Sequence, residues 1–111
     1  MQYFHNPRCS KSRAGLEFFE SKGVDVSTVL YLETPPSSDE LKSIVSKLGI
    51  SAADLIRKKD AEKLELSIDG ISEDSAIVLM VQHPSLIERP IAITDTKAVI
   101  GRPTEAFETL I

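Results

Sequence analysis

The sequence predicts an α/β fold: a mixed β-sheet flanked by helices, with a helical insertion between the second strand and a C-terminal β-hairpin. Three observations carry that expectation. Strand-forming segments stand at both ends of the chain, at Tyr3-Phe4 and between Ile91 and Ile100, whereas the middle third has helical periodicity. The first strand is followed by a tight loop, a helix and a second strand, the layout of a right-handed parallel crossover. The last two strands are joined by a short turn, which only antiparallel pairing allows. A chain of 111 residues leaves room for one domain, 1–111, with the insertion over about 37–84.

Each element has a local cause. Tyr3-Phe4 begins a strand, and Asn6-Pro7 breaks it because the residue before a proline is pushed out of the helical region. A helix is expected from about Ser10, with Leu16, Phe18 and Phe19 on its apolar face and Gly23 placed to end it in a left-handed conformation. Val24-Asp25-Val26 and Val29-Leu30-Tyr31-Leu32 are rich in strand formers and stop at Thr34-Pro35-Pro36; this stretch is read as the second strand. Ser37 and Glu40 have capping-box spacing, and Leu41, Ile44, Val45 and Leu48 recur at helical intervals before Gly49, which marks the clearest helix of the chain. Ser51 can cap a short segment through Leu55-Ile56, and Ser72 another carrying Ile77, Met80 and Val81 until His83-Pro84 ends it. After Pro90, Ile91 and Ile93 alternate, Asp95-Thr96 supplies a turn, and Ala98-Val99-Ile100 returns. Gly101-Arg102-Pro103 introduces a terminal helix, with Pro103 in its first turn and Phe107 and Leu110 on its apolar face. A thioredoxin-like sheet with a helical insertion accommodates this order.

Composition narrows the function. With 41% apolar and 27% charged residues and a net charge of -4, the chain reads as an ordinary globular domain. Mild acidity argues against nucleic acid as a partner, and the one basic run, Arg57-Lys58-Lys59, reads as a solvated surface. No apolar stretch approaches the roughly 18 residues that span a bilayer, and the N-terminus lacks the layout of a signal peptide, so no membrane partner and a cytoplasmic location are expected. One cysteine and two histidines give neither a disulfide framework nor a zinc spacing, so no metal is expected.

The one cysteine, Cys9, lies between an apolar opening segment and a helix start, among Arg8, Ser10, Lys11, Ser12 and Arg13. A helix start offers unpaired N–H groups and the positive end of the helix dipole, which stabilise a thiolate or a bound oxyanion. A polar, cationic neighbourhood of this kind suits a reactive thiol better than a buried apolar one. Two-electron thiol chemistry ends with sulfur bound to sulfur, so a lone cysteine needs an external thiol. Ser12 reads either as a hydroxyl donor to the Cys9 sulfur or as an ordinary helix-start serine, and His5 either tunes the thiolate or pairs with nearby backbone.

His5-Asn6-Pro7-Arg8-Cys9-Ser10-Lys11-Ser12-Arg13, Tyr31-Leu32-Glu33-Thr34-Pro35-Pro36, Leu55-Ile56-Arg57-Lys58, Glu88-Arg89-Pro90-Ile91 and Gly101-Arg102-Pro103-Thr104-Glu105 follow one another in an order that resembles the glutaredoxin-coupled arsenate reductase family. The resemblance covers nearly the whole chain. It implies a thioredoxin-like fold and reduction of arsenate to arsenite, with no bound cofactor, glutathione as co-substrate and glutaredoxin as protein partner. Carried over by position, Cys9 is the nucleophile; Ser12 and His5, read from their places beside it, are the accompanying catalytic candidates. Arg57, Arg89 and Arg102 hold the oxyanion, and Pro90 takes the place of a cis proline. Arg8 adds charge beside the nucleophile and is a candidate thiolate stabiliser. On their own sequence context the three arginines also fit ordinary surface or local ion pairs, such as Arg89 with Glu88 or Arg102 with Glu105. A monomer is expected. Two other readings keep parts of this pattern: a glutathione-dependent thiol oxidoreductase acting on another substrate, and an Spx-like protein-binding regulator. The latter lacks its disulfide switch here, because Ser12 stands where the second cysteine would be.

Overall fold

The computed structural model describes residues 1–111, which form two compact units, Met1–Thr34 with Arg89–Ile111 and Pro35–Glu88. The first unit carries a four-stranded sheet in the order β2-β1-β3-β4, made of β1 (Gln2–Phe4), β2 (Ser27–Val29), β3 (Ile91–Ile93) and β4 (Ala98–Ile100). β1 runs parallel to β2, with Tyr3 opposite Thr28, and antiparallel to β3, with Tyr3 opposite Ala92. β3 and β4 form the late hairpin, Ala92 opposite Val99. The fold is thus the thioredoxin-like α/β class that the order of elements predicts.

Helix α1 (Ser10–Ser21) links β1 to β2. Cross-strand partners share a face of the sheet, so Tyr3 and Ala92 point the same way, and they are buried with Phe19 of α1 and Phe107 of the terminal helix. The Phe19 and Phe107 ring centroids are 4.8 Å apart, and Tyr3 meets Phe19 edge-on at 82°. Such aromatic contacts each add about 0.5–1.5 kcal/mol beyond area burial. This cluster fixes α1 over the sheet.

Three details differ from the sequence reading. β2 has only three residues: Val24 and Val26 precede it and pack half-buried against the Tyr3 cluster, outside the ladder. Residues 30–34 form a turn instead of a strand, the Leu30 carbonyl accepting the N–H groups of Glu33 and Thr34, each at 2.9 Å. Apolar residues there report burial, not pairing, for Tyr31 is fully buried and stacks on Phe4 at 5.8 Å while Leu30 and Leu32 are exposed. The terminal segment Thr104–Leu110 is a 3-10 helix, with Pro103 just before it and Phe107 as its buried anchor.

The second unit holds α2 (Ser38–Leu48), α3 (Ala52–Leu55), α4 (Lys58–Lys63) and α5 (Glu73–Gln82), then a 3-10 turn over Pro84–Leu86. α2 has the expected capping box: Ser37 Oγ accepts the Glu40 N–H and Glu40 Oε1 accepts the Ser37 N–H, both at 3.2 Å. Gly49 closes it in the left-handed region at φ 69°. Ser51 and Ser72 cap α3 and α5, and the Glu73 carboxylate accepts the Ala52 N–H at 2.9 and 3.1 Å, tying the two helix starts together. α4 is an addition to the sequence reading: its lysines Lys58 and Lys59 are exposed as expected, but Asp60 and Ala61 are buried beneath them. No helix is long and apolar enough to cross a membrane.

Candidate active site

Cys9 is the N-cap residue of α1, with φ -94° and ψ 120°. The loop before it is held by its own hydrogen bonds. Asn6 is central: its carbonyl accepts the Cys9 N–H at 3.0 Å and its side-chain oxygen accepts the Arg8 N–H at 3.0 Å, the local side-chain bond that makes asparagine a turn residue. Arg13 Nη1 donates to the Pro7 carbonyl at 2.8 Å, so the first turn of the helix reaches back to brace the loop.

Partial burial would push the Cys9 thiol up. That tendency is outweighed by the backbone N–H groups of Ser12 and Lys11, a hydrogen bond from the Arg89 side chain and the positive charge of Arg102, and the thiol is held below its ordinary value. Arg102 arrives from 93 residues away: its Nη2 lies 3.7 Å from Cys9 Sγ, and its Nε donates to the Arg89 carbonyl at 2.7 Å. Arg89 itself is 8% exposed. The Arg89–Pro90 bond is cis, as the resemblance implies, and so is Arg102–Pro103.

Ser12 is fully buried and held from three sides. Its Oγ lies 2.6 Å from His5 Nδ1 and accepts the Asn6 N–H at 3.0 Å, while its carbonyl accepts the Tyr3 hydroxyl at 2.6 Å. One of the two sequence readings made the Ser12 hydroxyl a donor to the sulfur; the hydroxyl is instead occupied by His5 and Asn6, and Ser12 reaches Cys9 through its backbone N–H. Burial and the nearby Arg13 charge lower the His5 pKa, favouring a neutral imidazole whose Nδ1 can accept a hydrogen bond from the Ser12 hydroxyl. His5 therefore touches the site through Ser12.

Tyr3 and Gly15 escape the sequence reading. A Cβ at Gly15 would overlap the Tyr3 hydroxyl and come within 2.8 Å of the Phe107 ring, so the bare backbone of α1 is what admits the phenol to the Ser12 carbonyl. The available signal is a glycine inside an amphipathic helix, which costs about 1 kcal/mol and usually marks a close approach. Burial raises the Tyr3 pKa far above its ordinary value, so the phenol remains a proton donor at any working pH.

Of the remaining sequence candidates, Arg8 is exposed and lines a surface groove together with Leu30, Leu32 and Glu33. It is not among the groups that lower the Cys9 thiol. Arg57 belongs to the helical unit, where its N–H donates to the Leu86 carbonyl at 2.6 Å. Its guanidinium lies 3.3 Å from the Asp60 carboxylate and 3.9 Å from that of Glu88. Cys9, Ser12, His5, Arg89 and Arg102 are the candidates brought together in the β unit.

A mixed sheet of this order, with a single cysteine capping the first helix and two arginines converging on its sulfur, defines a thioredoxin-like protein with a one-cysteine site. The chain belongs to the ArsC family, whose profile matches residues 4–110. It is 44% identical over 114 residues to the arsenate reductase of Neisseria meningitidis serogroup A, covering 100% of this chain and 97% of the relative. With the arsenate reductase of Escherichia coli K12 it shares 41% identity over 104 residues, or 92% of this chain and 74% of the relative. Among solved structures, the arsenate reductase from Vibrio cholerae superposes with a TM-score of 0.91 at 37% identity, covering 100% of this chain and 98% of the other.

Proposed function

We propose that this protein is an arsenate reductase that uses Cys9 as its nucleophile, with glutathione and glutaredoxin as the source of electrons, in the cytoplasm, where thiols are kept reduced. The observation that carries the reading is the pairing of a thiol held below its ordinary value with the guanidinium groups of Arg89 and Arg102. A thiolate attacking an anion is opposed by charge repulsion, and guanidinium relieves it because it stays protonated at any working pH and presents a planar fork to oxyanion oxygens. Arg57 is assigned as a third oxyanion ligand on the family resemblance.

In the proposed cycle the Cys9 thiolate attacks arsenic and an oxygen leaves as water, forming a sulfur–arsenic(V) bond. Glutathione then bonds to the Cys9 sulfur; the sulfur–arsenic electron pair passes to arsenic, and arsenite leaves as arsenic(III). Two thiols have lost two electrons to make one disulfide between Cys9 and glutathione. A glutaredoxin thiolate attacks the glutathione sulfur and releases Cys9 as thiolate. Ser12 and His5 act by holding the first turn of α1, whose N–H groups face the sulfur.

The test is arsenite formation from arsenate with glutathione and glutaredoxin, comparing the natural chain with Cys9→Ser. Turnover in the natural chain and none in Cys9→Ser is expected; arsenite formed by Cys9→Ser at the natural rate refutes the mechanism.

A further inference from the structure

We propose that Tyr3 is a positioning residue for the reacting sulfur: its hydroxyl, bound to the Ser12 carbonyl, pins the first turn of α1 to β1 and keeps the Lys11 and Ser12 N–H groups aimed at Cys9. The inference rests on the thiol chemistry proposed above and adds to it a residue outside the loop that carries the thiol.

Ser12 is gripped at two points by neighbours two residues apart. Side chains at that spacing along a strand leave it on the same side, and the Tyr3 and His5 ring centroids lie 5.8 Å apart. His5 Nδ1 meets the Ser12 hydroxyl and Tyr3 the Ser12 carbonyl, each at 2.6 Å. The two grips are not equivalent. A hydroxyl turns about its own side-chain torsion, so His5 and Asn6 hold the side chain of Ser12, whereas Tyr3 holds its main chain. It is the main chain that serves the sulfur. Against the burial that raises the Cys9 thiol, the backbone N–H groups of Ser12 and Lys11 come first among the groups that lower it.

Packing alone asks for no hydroxyl at position 3. Tyr3 is fully buried with Phe19, Ala92 and Phe107, where phenylalanine would fill the same ring space with no polar group to satisfy. The hydroxyl also demands Gly15, since a Cβ there would overlap it, and glycine inside a helix is unfavourable. Two local disadvantages thus accompany one bond, and departures from local preference of this kind gather at functional sites. The bond is also a constant one. Burial above all, with the charge of Cys9, keeps the phenol protonated, so it donates to Ser12 at every pH at which the sulfur reacts. His5, by contrast, gains a proton as pH falls and then no longer accepts from the Ser12 hydroxyl.

The experiment follows Cys9 alkylation by iodoacetamide against pH, read by intact mass, in the natural chain, Tyr3→Phe and Ser37→Ala, with urea midpoints taken on the same samples. Tyr3→Phe keeps the ring in the core and removes only the hydroxyl. The charged groups that meet the sulfur, the Arg89 side chain and Arg102 Nη2 at 3.7 Å, are untouched, as are His5 and Arg13 behind Ser12. Losing a neutral phenol changes no charge, so a field effect alone leaves the alkylation midpoint where it was. Loss of positioning raises it. We expect Tyr3→Phe to raise the midpoint by about 0.5, which is about a threefold loss of thiolate below it. Ser37→Ala, which removes the α2 cap, is the control for lost stability and is expected to keep the natural midpoint. An unchanged or lower midpoint in Tyr3→Phe overturns the proposal, as does an equal rise in Ser37→Ala. An absence of arsenite formation by the natural chain, with the Tyr3→Phe rise intact, removes the arsenate reading and leaves the Tyr3 assignment standing.

Discussion

Arg102 performs two tasks with one side chain: Nε fixes the backbone of Arg89 at 2.7 Å while Nη2 faces the Cys9 sulfur at 3.7 Å. Lysine can do one or the other, because it lacks the rigid fork. Arg102→Lys is therefore expected to raise the pH midpoint of Cys9 alkylation by iodoacetamide and to lower arsenate turnover about tenfold, the scale of one lost charge-assisted hydrogen bond. A midpoint and turnover equal to those of the natural chain refute the dual role. The Tyr3–Gly15 contact gives a second prediction in which two principles oppose each other. Helix propensity favours Gly15→Ala by about 1 kcal/mol, but the new methyl meets the Tyr3 hydroxyl and the Phe107 ring, and overpacking of this kind costs about 1–3 kcal/mol. Net destabilisation in urea is expected for Gly15→Ala. Tyr3→Phe, which keeps the ring and loses the bond to the Ser12 carbonyl, is expected to lose about 1 kcal/mol. Stabilisation by Gly15→Ala shows that the close approach places no limit on α1.

Helices whose ends are written in local residues are legible from the amino-acid sequence. The Ser37–Glu40 capping box and the Gly49 stop of α2 occur where the sequence places them, because a cap is an arrangement between residues three apart. Ser37→Ala is expected to cost about 1 kcal/mol of stability and to leave the Cys9 alkylation rate unchanged, since the cap lies in the helical unit; chemical denaturation and alkylation measured on one sample check both halves. The second strand reads as too long for the opposite reason. Pairing is decided by a partner strand, and β2 has one only over Ser27–Val29, opposite β1, so the valines before it and the leucines after it satisfy their burial, or fail to, without a ladder. α4 is hidden in the sequence because its buried residues are Asp60 and Ala61, which give no apolar period, under a run of lysines that reads as surface. The terminal helix lies where its residues place it, but a short segment anchored by one residue, Phe107, does not reveal whether its turns are α or 3-10.

Across the whole molecule the site draws on residues far apart in the chain, and that decides how much of it the sequence reveals. Cys9 is legible from its neighbours and from the helix start it occupies. Spacing alone cannot bring Arg102 to a sulfur 93 residues away; only resemblance names it, and the fold does so by pairing β3 with β1 and β4 with β3. The His5–Ser12 bond is likewise tertiary in origin, joining the residue after β1 to the first turn of α1, and it makes global stability depend on pH in a definite direction. Burial lowers the His5 pKa below its ordinary 6.5. Above that value folded and unfolded chains both hold a neutral imidazole, and the stability due to His5 is fully present. As pH falls, the unfolded chain takes up a proton that the folded chain resists, so this stability is lost progressively down to the folded value. Ordinary carboxylates titrate near 4, so the stretch from about 6.5 down to about 5 reports on the histidines, and His5→Gln, which keeps His83, separates the part due to His5. Urea midpoints of the natural chain are expected to decline more steeply across that stretch than those of His5→Gln, which keeps a polar group at position 5 but no titration there. Parallel curves for the two proteins contradict a buried neutral imidazole at the base of the Cys9 loop.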